Sequence, residues 1–336
     1  MATGGQKQIY PENALILAPL SGFTDIAYRR AARRGGCRFA FTEMIDAASI
    51  AYASERTKPM LFRGAEEDFL GVQLVGADPK LIEKAVLYLN ELDFSVLDFN
   101  LGCPVPKVAG KGAGAALGCN YDHAMRCFEV IAKLSRFPVT AKMRILDEND
   151  PEPSVKLAAG LAHLGASAIT VHGRTRKSFY TGTVHFDIIS AIRTSLPDIE
   201  VIANGGVHTV DNCHEIRKMT GCSRVMLAQG AMGNPWLFRE IETNCDAPTI
   251  DEWRSMVDTH VTDMVALYGE FSGMRQARKI VHDYLKGRGF GGAPKSKASL
   301  LSSLSEMREL VYSALPVALS PQRKIKYSPL LSEKTE

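Results

Sequence analysis

The most constraining feature of the chain is an alternation. Short, β-rich and nearly all-apolar runs recur between residues 14 and 228, with segments of helical hydrophobic period between them. Eight such runs fall at 14–19, 38–42, 70–75, 95–100, 138–143, 168–172, 200–203 and 224–228. Runs apolar on both alternating faces belong to strands covered on both sides, as in parallel sheets. Helices are predicted between them at 24–34, 79–92, 121–135, 153–164, 187–195 and 210–220. Eight βα units in this order point to a closed (β/α)8 TIM barrel, a fold that takes roughly 250 residues. The second unit is the least regular, because 46–55 reads equally as helix or irregular loop.

After residue 246 the alternation stops. Helical periods at 249–268, 273–286 and 297–315 are separated by glycine-rich breaks such as 287–292. The expected organisation is a barrel over 1–245, a small helical domain over 246–320 and a flexible tail over 321–336. Net charge is only +3, yet residues 273–297 carry seven lysines and arginines against Asp283 alone. That local charge suits phosphate contacts, although a charge run is also how a solvated helix face looks.

Several classes are disfavoured. No apolar run approaches the roughly 20 residues that cross a bilayer, and the first residues lack a secretory pattern. A cytoplasmic protein without a membrane partner is expected. The seven cysteines show no C-x-x-C pair, which argues against disulfides and against a metal site.

Barrel enzymes carry their sites on loops at the C-terminal ends of the strands. Those positions hold Pro19, Glu43, Gln73, Asn100, Lys142, His172, Asn204 and Gln229, all but the first polar or charged. The last two strands run into glycine turns, Asn204-Gly205-Gly206 and Gln229-Gly230-Ala231, where backbone N–H groups can approach a phosphate. The segment Asp98-Phe-Asn-Leu-Gly-Cys-Pro104 places Cys103 just past the fourth strand. A thiol there can serve as nucleophile, metal ligand or general acid. An unperturbed thiol, with a pKa of about 8.5, is mostly protonated at neutral pH and suits proton donation. No second cysteine or histidine stands at ligand spacing.

Taken together, Ala18-Pro-Leu-Ser-Gly-Phe-Thr-Asp25, Val72-Gln-Leu-Val-Gly76, Asn100-Leu-Gly-Cys-Pro104, Lys142-Met-Arg144, Val171-His-Gly-Arg-Thr-Arg176, Ile202-Ala-Asn-Gly205 and Gly233-Asn-Pro-Trp236 resemble the tRNA-dihydrouridine synthases. The tail resembles them more loosely, through Arg278-Lys-Ile-Val-His-Asp-Tyr-Leu-Lys-Gly287. The resemblance implies non-covalent FMN at the barrel mouth, NADPH or NADH as reductant, and a monomer acting on a uridine of tRNA. Hydride would pass from reduced flavin to C6 while Cys103 gives a proton to C5. It further implies that Pro19, Leu20 and Ser21 lie along the isoalloxazine, Gln73 meets its pyrimidine edge and Lys142 sits near N1. His172 would line the cofactor, and Asn204, Gly205 and Gly206, with Ala228 and Gln229, would receive its phosphate. Asn100, Arg174 and Arg176 would face the substrate, and Arg278, Lys279 and Lys286 the RNA backbone.

One departure stands out: the family usually carries Gly-Arg where this chain has Ala228-Gln229, which removes a fixed charge from the phosphate site. Three alternatives share many of these features. The same chemistry on rRNA is one, and an FMN barrel reducing or oxidising a free pyrimidine is another. The third is an RNA-binding barrel that has lost its catalysis.

Overall fold

The computed structural model describes residues 8–313. Eight parallel strands close into a barrel in sequence order: β1 Leu15–Leu17, β2 Phe39–Asp46, β3 Leu70–Val75, β4 Val96–Leu101, β5 Val139–Arg144, β6 Ala168–His172, β7 Glu200–Asn204 and β8 Val225–Leu227. Closure runs through β1 and β8, with Leu15, Ile16 and Leu17 opposite Val225, Met226 and Leu227. The apolar runs follow from this closure. Strands β1, β3, β4, β6 and β8 are buried at every residue, facing the barrel interior on one side and the helix layer on the other.

The second strand departs from the sequence expectation. Instead of ending at 42 it continues through a bulge between Phe41 and Met44 and reaches Asp46. The Asp46 carboxylate then caps Ala47–Ala51 by accepting from Ala48 N at 2.9 Å. The extra residue of a bulge twists its strand, so Glu43 lies within β2 rather than at its end. Its carboxylate accepts from the N–H of Gly22, in the loop after β1.

Beyond the barrel, Thr249 and Glu252 form a reciprocal capping box that starts Ile250–Tyr268, and Glu270–Leu285 returns antiparallel to it. The single helix expected over 297–315 is instead broken into Gly292–Ala298, Leu304–Arg308 and a π-turn Glu309–Ser313. Ser303 accounts for the restart: its hydroxyl accepts from Glu306 N at 3.2 Å, while the Glu306 carboxylate reaches back to Ser302. Serine hydroxyls so used compete with helix continuation. The tail expected over 321–336 lies outside the described residues.

The helical domain is welded to the barrel rather than tethered. Trp253 and Tyr284 are buried against Trp236 and Phe238 in the same apolar core. A Cβ at Gly233 would fall 2.2 Å from the Asp283 carbonyl, so the last glycine turn of the barrel touches the helix Glu270–Leu285 directly.

Candidate active site

The strand register assembles the site in rows. In one row Gln73 lies beside Asp98 and Asp98 beside Thr140. One step higher Asn100 lies beside Lys142, and at the mouth Arg144 lies beside His172 and His172 beside Asn204. Alternate residues of a strand share a face, so Asp98 and Asn100, like Thr140, Lys142 and Arg144, all turn into the barrel.

The lower row forms a closed polar network. Thr140 and Gln73 donate to the two oxygens of Asp98, each at 2.6 Å. Asn100 donates to the Gln73 carbonyl oxygen at 2.8 Å and accepts from the backbone N–H groups of Gly102 and Cys103 at 3.1 and 2.9 Å. Burial pushes the Asp98 carboxyl up to about 6, against the pull of its two donors and of Lys142.

The upper rows concentrate positive charge. Lys142 donates to Asn204 Oδ1 at 2.8 Å, and Asn204 donates in turn to the Met226 carbonyl at 2.8 Å. Desolvation, then the neighbouring Arg144, bring Lys142 down to about 8. Arg144 donates to the Gly102 and Thr175 carbonyls, tying the loops after β4 and β6 together, and burial lowers its guanidinium to about 10. His172 is held well below its ordinary value, first by burial and then by Lys142, Arg144 and Arg174. Its neutral ring can therefore accept from Arg174, whose Nη1 lies 3.4 Å from Nε2.

Cys103 is half-buried on a loop fixed from three sides: Asn100, Arg144 at Gly102, and the Ala115 N–H donating to its own carbonyl at 3.0 Å. Desolvation raises the thiol pKa, outweighing the Val105 N–H and the cations Arg144 and Lys142. The sulfur is thus kept as a protonated thiol at neutral pH.

These groups line one cavity of about 550 Å3, within the roughly 300–1,000 Å3 typical of small-molecule sites. From the sequence expectations it gathers Pro19, Leu20 and Ser21 on one wall, then Gln73, Asn100 and Cys103. Lys142, His172 and Arg174 follow, and Asn204, Gly205, Gly206, Ala228 and Gln229 close the ring. No aspartate or glutamate lines it, while Lys107, Lys142, Arg144 and Arg174 do. Gly205 and Gly206 take φ values of 122° and 73°, left-handed backbone that favours glycine. A Cβ at Gly230 would meet the Val207 carbonyl at 2.0 Å, so the two glycine turns pack edge to edge. An acid-free, cationic cavity ending in close-packed glycine turns fits an anionic, phosphate-bearing ligand. A second cavity of about 690 Å3 continues from it, sharing Ser21, Met44, Lys107 and Val108.

Four expected residues lie outside this cavity. Arg176 lines a neighbouring depression with Asp147 and Glu148. Arg278 is half-buried and donates to the Leu301 carbonyl at 2.8 Å, and Lys286 pairs with Asp283 at 2.6 Å. Lys279 comes closest, touching the Gly22 carbonyl and lying 4.3 Å from the ring of Phe23, itself a cavity residue. In the other direction, sequence reasoning gave no role to Asp98, Arg144, Tyr180 or His208. The first two were detectable as i, i+2 partners of Asn100 and Lys142 on inward faces. Tyr180 and His208 sit on loops, where no period marks them.

Among the described residues no helix is long and apolar enough to cross a membrane, and no group of three or more His, Cys, Asp or Glu is placed to hold a metal. Comparison with known proteins adds the rest. Residues 16–315 match the family model described as dihydrouridine synthase. The chain is 34% identical to tRNA-dihydrouridine synthase B of Shewanella oneidensis, over 82% of this chain and 87% of that protein. It is 32% identical to tRNA-dihydrouridine synthase B of Pseudomonas aeruginosa, over 81% and 84%. Among solved structures, histamine dehydrogenase from Rhizobium sp. 4-9 shares the fold, with a TM-score of 0.51 at 11% identity over 74% of this chain and 48% of that one.

Proposed function

The chain belongs to the dihydrouridine synthase family, and from that premise we propose that it reduces the C5–C6 double bond of a uridine in tRNA, using FMN and NADPH or NADH. The observation that carries this reading is the pairing of a protonated Cys103 thiol with Lys142 and Arg144 in one acid-free cavity.

Bound FMN would supply the hydride delivered to C6. The protein's own residues supply the rest. Lys142, held by Asn204 and already short of solvation, would place its charge against the electron-rich edge of the flavin, where the low local dielectric strengthens it. Because the Asn204 side chain is committed to Lys142 and Met226, the backbone of Gly205 and Gly206 and the turn at Ala228, Gln229 and Gly230 would hold the phosphate. Pro19, Leu20 and Ser21 would cover one face of the ring, with Gln73 at its pyrimidine edge. Cys103 would give its proton to C5 from the side opposite the hydride, completing the addition of one hydrogen at each carbon. Asn100 and Arg174 would meet the uracil.

A uridine within folded RNA has to leave its stack to reach such a depth. The continuing cavity beside Lys107 and Lys111 would receive the nucleotides that flank it. The helical region that follows the barrel would grip the RNA backbone, with Lys279 at the rim the best placed of the three tail cations. Arg278 and Lys286, each engaged within the domain, would contribute less.

The test is turnover by the purified chain with NADPH on unmodified tRNA, scored by mass spectrometry as dihydrouridine, beside unmodified rRNA and free uracil. Yellow protein that reduces tRNA is expected. Reduction of free uracil but not tRNA would overturn the substrate, and flavin-free protein would overturn the chemistry. Cys103→Ala should keep flavin and bind tRNA yet lose turnover by about 100-fold, as for removal of a general acid.

A further inference from the structure

The network beneath Cys103 has a direction. A carboxylate only accepts hydrogen bonds, so an ionised Asp98 obliges Gln73 to turn its NH2 group inward, where the 2.6 Å bond lies. That leaves the Gln73 carbonyl oxygen facing Asn100, which must answer with its own NH2 group at 2.8 Å. The Asn100 carbonyl oxygen is then aimed at the N–H groups of Gly102 and Cys103. Each amide has two faces of nearly equal shape, and one buried charge decides both. Asp98 and Gln73 are almost wholly inaccessible, at 1% and 0% exposure, so water cannot substitute for a misturned partner.

We propose that Asp98 is a positioning residue for the reaction: through Gln73 and Asn100 it fixes the loop that carries the Cys103 thiol, and it sets which polar atoms those two amides present to the cavity. This rests on Cys103 acting as the proton donor, as proposed above. It gives the chain a reason to keep a desolvated carboxylate beneath its site, where burial disfavours the charge. Ionisation at neutral pH agrees with a carboxyl raised only to about 6.

The polarity of the relay makes it testable by its logic. In Asp98→Asn the new amide can still accept from Gln73 while donating to the Thr140 hydroxyl, so the relay is loosened but not inverted. Adding Thr140→Val removes that outlet. The new NH2 is then left unpaired against valine, or it turns to Gln73 and inverts both amides against the N–H groups of 102 and 103. Either way the buried hold on the loop is lost. Thr140→Val alone leaves the carboxylate in command. The exchange Asp98→Asn with Gln73→Glu reverses the bond between positions 73 and 98 but leaves Thr140 donating to position 98 and Asn100 donating to position 73, so Asn100 and the loop keep their original sense.

The readout is the rate at which iodoacetamide alkylates Cys103 in the full chain, followed at that peptide by mass spectrometry and at a temperature where circular dichroism shows each variant folded. Alkylation needs neither RNA nor reductant, so it reports on the relay even where the tRNA substrate is wrong. A freed loop exposes the sulfur. The rate should rise about fivefold in Asp98→Asn/Thr140→Val, by under about twofold in Thr140→Val, and return to within about twofold of wild type in the exchange variant, a coupling that independent sites do not show. Turnover on tRNA should fall in step in the variants that keep Gln73, with kcat lost about tenfold in Asp98→Asn/Thr140→Val and KM little changed, the range seen when the partners that orient a functional group are removed. The exchange variant is read by alkylation alone, because position 73 also lines the cavity. An unchanged alkylation rate in folded Asp98→Asn/Thr140→Val would overturn the proposal. Should that variant fail to fold, a fivefold faster rate in the exchange variant, where Asn100 keeps its sense, would overturn it as well.

Discussion

The two ends of the barrel are built from the same eight strands and obey opposite rules. At the N-terminal end Tyr10, Phe39 and Phe69 close the opening in an aromatic triad, Phe39 edge-on to both partners, with centroids 5.2 to 5.4 Å apart. The charges there are paired: Arg224 lies 3.4 Å from Glu200, which also accepts from Ile9 N at 2.9 Å, and Arg224 donates to the Tyr10 carbonyl. At the C-terminal end Lys142, Arg144 and Arg174 share a cavity lined by no carboxylate. One end is resolved by the chain itself, and the other is left for a ligand to resolve. Like charges held together at partial burial cost stability, and natural proteins tolerate such conflict where function needs it.

The comparison breaks most visibly at the sealed end. Phe41, 1% exposed, packs against Phe69, and a Cβ at Gly71 would lie 2.3 Å from its ring, so the glycine makes room for the phenyl group. Phe41→Ala should cost about 3 kcal/mol of unfolding free energy, the lower range for an emptied aromatic site. Turnover per folded molecule should stay within about twofold of wild type. Denaturant unfolding alongside tRNA turnover checks both. A loss of turnover that exceeds the unfolded fraction would mean that the two ends are not separable.

The open end should respond in the opposite sense. Lys142 is brought down to about 8 chiefly by desolvation and secondly by Arg144. Between about pH 8 and its unfolded value of 10.5, the unfolded chain binds this proton and the folded one does not. Stability of the flavin-free protein should therefore climb with pH across that window. Lys142→Met should flatten the climb and raise the melting temperature at neutral pH by a few degrees. Turnover should fall about 30-fold, or ~2 kcal/mol of barrier. A variant that melts lower and still turns over would show that the lysine stabilises the fold instead of awaiting a ligand.

The sealed and open ends also differ in how much of them a sequence reveals. The strands β3 and β6 match their apolar runs residue for residue, because burial on both faces keeps every position apolar but Gln73, Thr170 and His172. The second strand runs past its expected end at 42: Glu43, at the bulge, looks like the start of a loop, yet the backbone stays paired with β3 as far as Val75. The third tail helix was overextended because Ser302 and Ser303 do not interrupt a helical period. Their hydroxyls act only once Glu306 is folded back toward them. In the site, polar residues that end apolar strands were legible, since burial makes them conspicuous. Arg278 was legible as a cation but not as a partner of Leu301, a contact made by a turn 23 residues further on. Charge can be counted along a chain; what answers it depends on the fold.

The smallest expected effect concerns the last glycine turn of this open end. Ala228-Gln229, where the resemblance implies Gly-Arg, stand at the start of the turn Gln229–Ala231 that packs on Val207. Glutamine can donate a hydrogen bond to a phosphate but brings no fixed charge, and charge-assisted bonds are roughly twice as strong as neutral ones. Gln229→Arg should therefore tighten FMN by about fivefold, near 1 kcal/mol, with the gain shrinking at high salt. Riboflavin, which lacks the phosphate, should gain nothing, and fluorescence titration of both flavins separates the two cases. If both tighten equally, position 229 acts on the ring. If neither does, the four cations already lining the cavity meet the phosphate without help, and the charge of the open end is matched to its ligand as it stands.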